Sequence, residues 1–421
     1  MEYSATDVRR PDALAAWQQA LAEVPATPAL SGALLRPRDD LFGRFAAWYG
    51  RLRSRPRAER RRWQRQLGLS LAGIALLLAV NGAPAGAVGP AATITVSGPC
   101  DLIEAIGNAN DTTTGQPNTD CAAGNPAGAD TIDLQVNVTL TASNSSYFGP
   151  TGLPVVTSAI TIEGNGNTIS RQAGSPDFRI LAVAIGGNLT LNSATVSGGV
   201  ASGVLPANQG GGIYNGGTLT VQNSTLSGNS AGSNTGGGGG GIFNRGGGTL
   251  TVQNSILSGN SANAGGGGGG IDNRGTLTVQ SSTLSGNSTS RGGGIRNYFG
   301  STATVSNSTF SGNSAVNGGG ISTYGRLMVQ NSTLSGNSAS RGGGIYNRGT
   351  LTVQSSTLSG NSASNVGGGI YSDVFFTTVA VMNSIVAAQT GGADCAGGTI
   401  TSGGYNIESA TSCNFIQASD L

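Results

Sequence analysis

The chain of 421 residues predicts an all-β fold, a right-handed parallel β-helix built as a single-stranded solenoid, and three observations carry that expectation. The first is a repeat. From about residue 189 a block recurs that reads GGGI, an aromatic or polar residue, Asn, a Gly-containing turn, and then TLTVQNSTLSGNSA. Its marker isoleucine falls at Ile213, Ile242, Ile271, Ile295, Ile321, Ile345 and Ile370, at spacings of 29, 29, 24, 26, 24 and 25 residues, the length of one solenoid coil. The second is alternation. In Thr350-Leu351-Thr352-Val353-Gln354 polar and apolar residues alternate with period two, the pattern of a half-buried strand. The third is glycine, at 72 residues, against roughly 30 in an average chain of this length. The glycines fall in runs without a period of three, so collagen is excluded.

Taken in order, residues 1–66 form a basic leader, partly helical or disordered, with 13 Arg against 7 acids. Its densest run, Arg51 to Arg65, is followed at once by the apolar stretch Leu67 to Val80, and Ala85-Gly86-Ala87 then has the small-x-small form of a cleavage site. Residues 67–87 are therefore expected to be a signal peptide core and its cleavage region, sending the bulk of the chain out of the cytoplasm. Left uncleaved, the segment is just long enough to anchor in a bilayer, and no other membrane contact is expected. The same segment explains the arginines better than nucleic-acid binding does, so no nucleic-acid partner is expected.

Next come an amino-terminal cap at 92–140 with Cys100 and Cys121, the β-helix coils at 141–390, and a carboxy-terminal coil at 391–421 with Cys395 and Cys413. Within one coil the long strand is followed by a second around Thr357-Leu358, a turn at Gly360-Asn361, and a third strand at Gly369-Ile370-Tyr371. Coils stack at about 4.8 Å, so each residue lies over its counterpart. Leu219, Leu250, Leu277, Leu327 and Leu351 then form an apolar column. Asn229, Asn260, Asn287, Asn313, Asn337 and Asn361 form a ladder in which each amide donates to its neighbour's carbonyl. The runs Gly236 to Gly241 and Gly265 to Gly270 lie where the chain turns and stacks closely, and they lack the aspartates of calcium-binding repeats.

The four cysteines allow three connectivities, of which local pairing, Cys100 with Cys121 and Cys395 with Cys413, is the simplest for an exported chain. Neither pair has the CxxC spacing of a metal or redox site, so their role is expected to be structural.

The segment Cys100-Asp-Leu-Ile-Glu-Ala-Ile106, with Asn108-Ala-Asn110, Cys121 and Gly128 to Leu134, resembles the CSLREA-type amino-terminal module of exported bacterial β-helix proteins, departing from that motif at Asp101 and Ile103. The GGGI blocks and GN turns resemble those of the polymorphic outer-membrane-protein and pectin-lyase-like repeat families, and Asp394 to Asn406 with Cys413-Asn-Phe415 resembles their closing coil. The resemblance covers about residues 92–421 and implies a cell-surface or secreted location, outer-membrane association included. No ten-residue alternating strands of a membrane barrel follow, so a self-contained autotransporter is not expected.

Composition removes much chemistry. The chain has no His and no Lys, which excludes Ser-His-Asp and Cys-His catalysis, imidazole metal sites and Schiff-base lysines. Between Asn188 and Ser372 it has one acid, Asp272, whereas glycoside hydrolysis needs two carboxylates about 5 to 10 Å apart. Arginines are the polar series that recurs: Arg245, Arg274 and Arg348 after Asn in the turn before the long strand, and Arg291 and Arg341 before GGGI. On coils they would form sparse basic lines suited to the carboxylates or sulfates of an anionic polysaccharide. Outward threonines, from Thr218/Thr220 to Thr350/Thr352 and broken at Arg326/Met328, make a TxT face like that of ice-binding solenoids. The expectation is a non-enzymatic exported repeat protein with an adhesion or envelope role, with neither cofactor nor metal. A polysaccharide lyase or hydrolase is the alternative, and an ice-binding solenoid a remote one.

Overall fold

The computed structural model describes residues 92–421 except 111–119, 126–127, 233–236, 263–266 and 376. The predicted leader and export segment lie outside the described residues. As the repeat predicts, the chain is a parallel β-solenoid. Among the described residues it has a first sheet of twelve strands, a second of nine and a third of eleven. The TLTVQ segments stack in the first sheet, the Ile-x-Asn segments in the second and the TLS segments in the third.

Strand register follows the repeat. Leu219 lies over Leu250, Leu277, Ala303, Leu327 and Leu351, each at most 3% exposed. Ala303 is the small member of that column, and its coil carries Phe310 where the adjacent coils carry Leu284 and Leu334. Both residues are buried in the same core, so the volume lost on one wall is offset in part by a gain on another.

Three polar ladders hold the corners. Asn229 Nδ2 donates to Asn260 Oδ1 at 3.0 Å, and the same contact repeats to Asn287, Asn313, Asn337 and Asn361 at 2.9–3.0 Å. Gln389 continues that ladder, accepting from Asn361 Nδ2 at 3.2 Å. A second ladder runs along the inward end of the second sheet, Asn215 to Asn244 to Asn273 to Asn297, at 2.7–2.8 Å. A third is made by serines: the backbone N–H of Ser224 donates to Ser255 Oγ at 3.1 Å, and this repeats through Ser282, Ser308, Ser332 and Ser356. Each ladder satisfies turn backbone that the dry core would otherwise strand without a partner.

Some coils carry a fourth short strand where the sequence predicts only turn. Val200–Ala201, Ser230–Ala231 and Ser261–Ala262 pair with one another, and Ser338–Arg341 pairs with Ser362–Val366. The amino-terminal cap holds a nine-residue helix, Leu102–Asn110. Asp101 caps it, accepting from the Glu104 N–H at 2.8 Å, while Leu102, Ala105 and Ile106 cover the end of the core. The Cys100–Cys121 disulfide ties this helix to the chain that follows, and Cys395–Cys413 closes the last coil.

Candidate functional site

The outer face of the second sheet departs from the Ser/Thr surface of the other two. The central residues of its three-residue strands are in register, Tyr214, Phe243, Asp272, Arg296, Ser322, Tyr346 and Tyr371. Two residues further along each coil the turn supplies Arg245, Arg274, Tyr298, Tyr324, Arg348 and Asp373. The two columns interleave into one stack. Phe148 stacks on Tyr214 at 4.5 Å and Tyr214 on Phe243 at 5.4 Å. Arg274 then lies 4.9 Å over Phe243 and 5.0 Å over Tyr298, and Arg296 lies 4.7 Å over Tyr298. Tyr346 stacks on Tyr371 at 5.3 Å further down. Rings and guanidinium planes one coil apart sit near the spacing at which such contacts are favourable, because the strand spacing sets it.

At the amino-terminal end of this face two loops, 144–151 and 203–210, rise over the sheet and form a groove of about 590 Å³. Tyr147, Phe148, Tyr214, Phe243, Arg245 and Arg274 line it, with no Asp or Glu among its lining residues. Burial raises the Tyr214 phenol above its ordinary range, against the pull of Arg245, Arg179 and Arg274, three cations around one ring.

Asp272 lies beneath this surface. It is fully buried, 3.3 Å from Arg274 Nη2 and 4.0 Å from Arg296 Nη1, so two guanidinium groups flank it. Burial pushes its carboxyl up while both arginines pull it down. Its place in the wall makes it an anchor for Arg274, with no access to a molecule in the groove.

Of the five arginines singled out in the sequence, Arg245 and Arg274 meet in the groove. Arg348 lies further along the same face, its Nε 2.8 Å from Asp373 Oδ2. Arg291 and Arg341 stand apart before the glycine turns, bridged through Asn317 in the coil between them, and both are exposed. Sequence reading missed Arg296 and the buried Arg179. Arg179 Nη1 donates to Phe148 O at 2.8 Å, and Nη2 to Ala207 O at 2.8 Å and Pro206 O at 3.1 Å. Its guanidinium lies 5.3 Å over the Tyr214 ring. Burial lowers it to about 10, leaving it cationic at neutral pH. On the first sheet, Thr218, Thr249, Thr276 and Thr302 stack in register until exposed Arg326 and Met328 interrupt the two threonine columns.

Residues 307–324, 331–348 and 355–373 match the family model of the Chlamydia polymorphic membrane protein repeat. The chain is a β-helix repeat protein resembling the polymorphic membrane proteins. No curated protein and no solved structure matches it. Each matched segment begins at a left-handed turn residue, Asn307, Asn331 or Ser355. It then crosses the third sheet and the asparagine ladder and ends on the second-sheet face at Tyr324, Arg348 or Asp373. The polymorphic membrane protein repeat thus coincides with the part of the coil that bears both the ladder and the ring-and-arginine columns.

Proposed function

We propose that this is an exported β-helix protein of the bacterial surface, without enzymatic activity, that binds anionic polysaccharide of the envelope through the groove over Tyr214. The observation that carries the reading is the groove's composition: aromatic walls, Arg245 and Arg274, and no carboxylate. Planar guanidinium groups match carboxylate and sulfate oxygens, and aromatic edges and faces suit the C–H faces of sugars. Hydrolysis would need a pair of carboxylates, and the nearest acid is buried between two arginines. The repeat match and the predicted export segment both support a surface location.

A glycan array tests it. The Arg245→Ala/Arg274→Ala variant is expected to lose binding to uronate-containing or sulfated glycans, while Arg291→Ala/Arg341→Ala retains it. Equal binding by both variants would remove the groove from the reading. Incubation with pectin, alginate and glycosaminoglycans tests the enzymatic alternative, and release of unsaturated or reducing ends would establish it.

A further inference from the structure

Arg179 carries a charge that its surroundings solvate without neutralising. The side chain is 0% exposed, and the groups around it are the three carbonyl oxygens of Phe148, Pro206 and Ala207 and the Tyr214 ring. Among the described residues no carboxylate pairs with it. This contrasts with Arg274 and Arg348, each of which has an aspartate. A buried cation held only by neutral dipoles is costly, and a nearby anion offsets that cost.

Its position decides what that anion is. The carbonyls it holds belong to the two loops that wall the groove, and the ring it faces is part of the groove's lining. Placed behind the lining, Arg179 does not touch a bound molecule. Its guanidinium lies 5.3 Å from the Tyr214 ring that lines the groove, and salt screens a buried charge less than it screens the exposed Arg245.

We infer that Arg179 sets the groove's preference for acidic over neutral sugars, acting through space on a carboxylate or sulfate held by Arg245 and Arg274. The inference rests on the groove being the polysaccharide site. One unit charge about 10 Å away at an effective dielectric of about 20 changes affinity on the order of tenfold. Arg179 is a positioning and specificity residue here: it also pins both loops, so its test must separate charge from shape.

The test is calorimetric titration of the full chain with oligogalacturonate and with its methyl ester, the same sugar without charge. The wild type is expected to favour the acid. Arg179→Gln, which keeps a donor for the loop carbonyls but no charge, is expected to lower the acid-to-ester affinity ratio about tenfold with the ester affinity unchanged. Arg179→Lys is expected to restore the ratio, and circular dichroism to report an intact solenoid in both. A Gln variant that keeps the wild-type ratio overturns the inference alone. Parallel loss of acid and ester in both variants also overturns it, by assigning Arg179 to loop shape. If Arg179→Gln does not fold, the ratio in Arg179→Lys and the wild-type thermal shift decide: a shift no larger with acid than with ester overturns the inference. A wild type that binds neither sugar, nor a sulfated oligosaccharide, removes the groove reading and the inference together.

Discussion

Replacing Asn287 by Ala removes one rung from the middle of the asparagine ladder, and the structure gives the size of the effect. Asn287 is fully buried. Its Nδ2 donates to Leu257 O and Asn313 Oδ1, both at 2.9 Å, and its Oδ1 accepts from Asn260 N and Asn260 Nδ2, both at 3.0 Å. Alanine deletes all four. Asn260 Nδ2 keeps Leu226 O and Asn313 Oδ1 keeps the Asn287 N–H, but the Asn260 N–H loses its side-chain acceptor within the turn. At about 1 kcal/mol net for each bond, the variant is expected to lose roughly 4 kcal/mol, an unusually large effect for a single polar residue. Urea unfolding followed by far-ultraviolet circular dichroism measures it, with Thr278→Ala on the first sheet's outer face as a control expected to stay within about 0.5 kcal/mol. Because coils couple to their nearest neighbours, a weakened middle rung affects the coils on either side. A loss below about 1 kcal/mol would refute the view that the ladder is a main source of stability at this corner.

Glycine substitutions should split by location. Gly293→Ala places a Cβ against Gly319 O and 2.8 Å from Ser314 N and O, so it should prevent close stacking and strongly reduce the yield of folded protein. Gly247→Ala meets no atom within 4 Å at a φ of +85° and should cost about 1 kcal/mol in thermal or urea unfolding. Replacing Cys395 and Cys413 by Ala opens an 18-residue separation and should cost about 3 kcal/mol in the chain-entropy model, seen as protease cleavage beginning in the last coil. Asp420 links that coil to pH. Burial is the largest single influence and raises its carboxyl, but the bonds from Ser402 Oγ, the Asn406 and Gln417 N–H groups and the Asn406 side chain together outweigh it and hold the group below its ordinary value. A depressed folded value means the stabilisation is present above about pH 4 and is lost as pH falls through the folded value. Hydrogen-exchange protection at the Asn406 and Gln417 amides should fall on acidification, and Asp420→Asn should have low protection at both pH values.

The repeat made the coil register legible, because a residue type held at one place in every block must stack on itself. That is why the six-asparagine ladder and the leucine column could be read from the chain. The Asn215 and Ser224 ladders have the same regularity in sequence, yet periodicity reports which residues align and not which way a side chain turns. Ser224 folds back to accept from the N–H of Ala194 at 3.1 Å, a geometry that belongs to the turn and not to the strand pattern around it. The face of the second sheet was harder still. The sequence pattern points to arginines at two positions, after Asn and before GGGI, and those after Asn form two separated groups. Arg296 occupies the strand position, where other coils have Tyr214, Phe243, Tyr346 or Tyr371, and its own coil places Tyr298 in the turn. Ring and cation exchange columns between coils, so the stack is visible only when both positions are read together. Arg179 precedes the recurring block, and nothing periodic marks it.

The same two-column reading bears on catalysis. In a solenoid, side chains meet when they share a column in adjacent coils or occupy neighbouring columns of one coil. Along the second-sheet face from Tyr214 to Tyr371 the two columns hold two acids, Asp272 and Asp373. They lie four coils apart, roughly 19 Å at the strand spacing, beyond the range in which a carboxylate pair acts on one glycosidic bond. Each is also committed, Asp272 to Arg274 and Arg296 and Asp373 to Arg348. Turning this face into a hydrolase would require a second carboxylate beside Asp272, at the place of Arg274 or Arg296, and that change would leave Asp272 buried beside a like charge. The pairing that fixes the arginines thus opposes the carboxylate pairing that hydrolysis on this face would require.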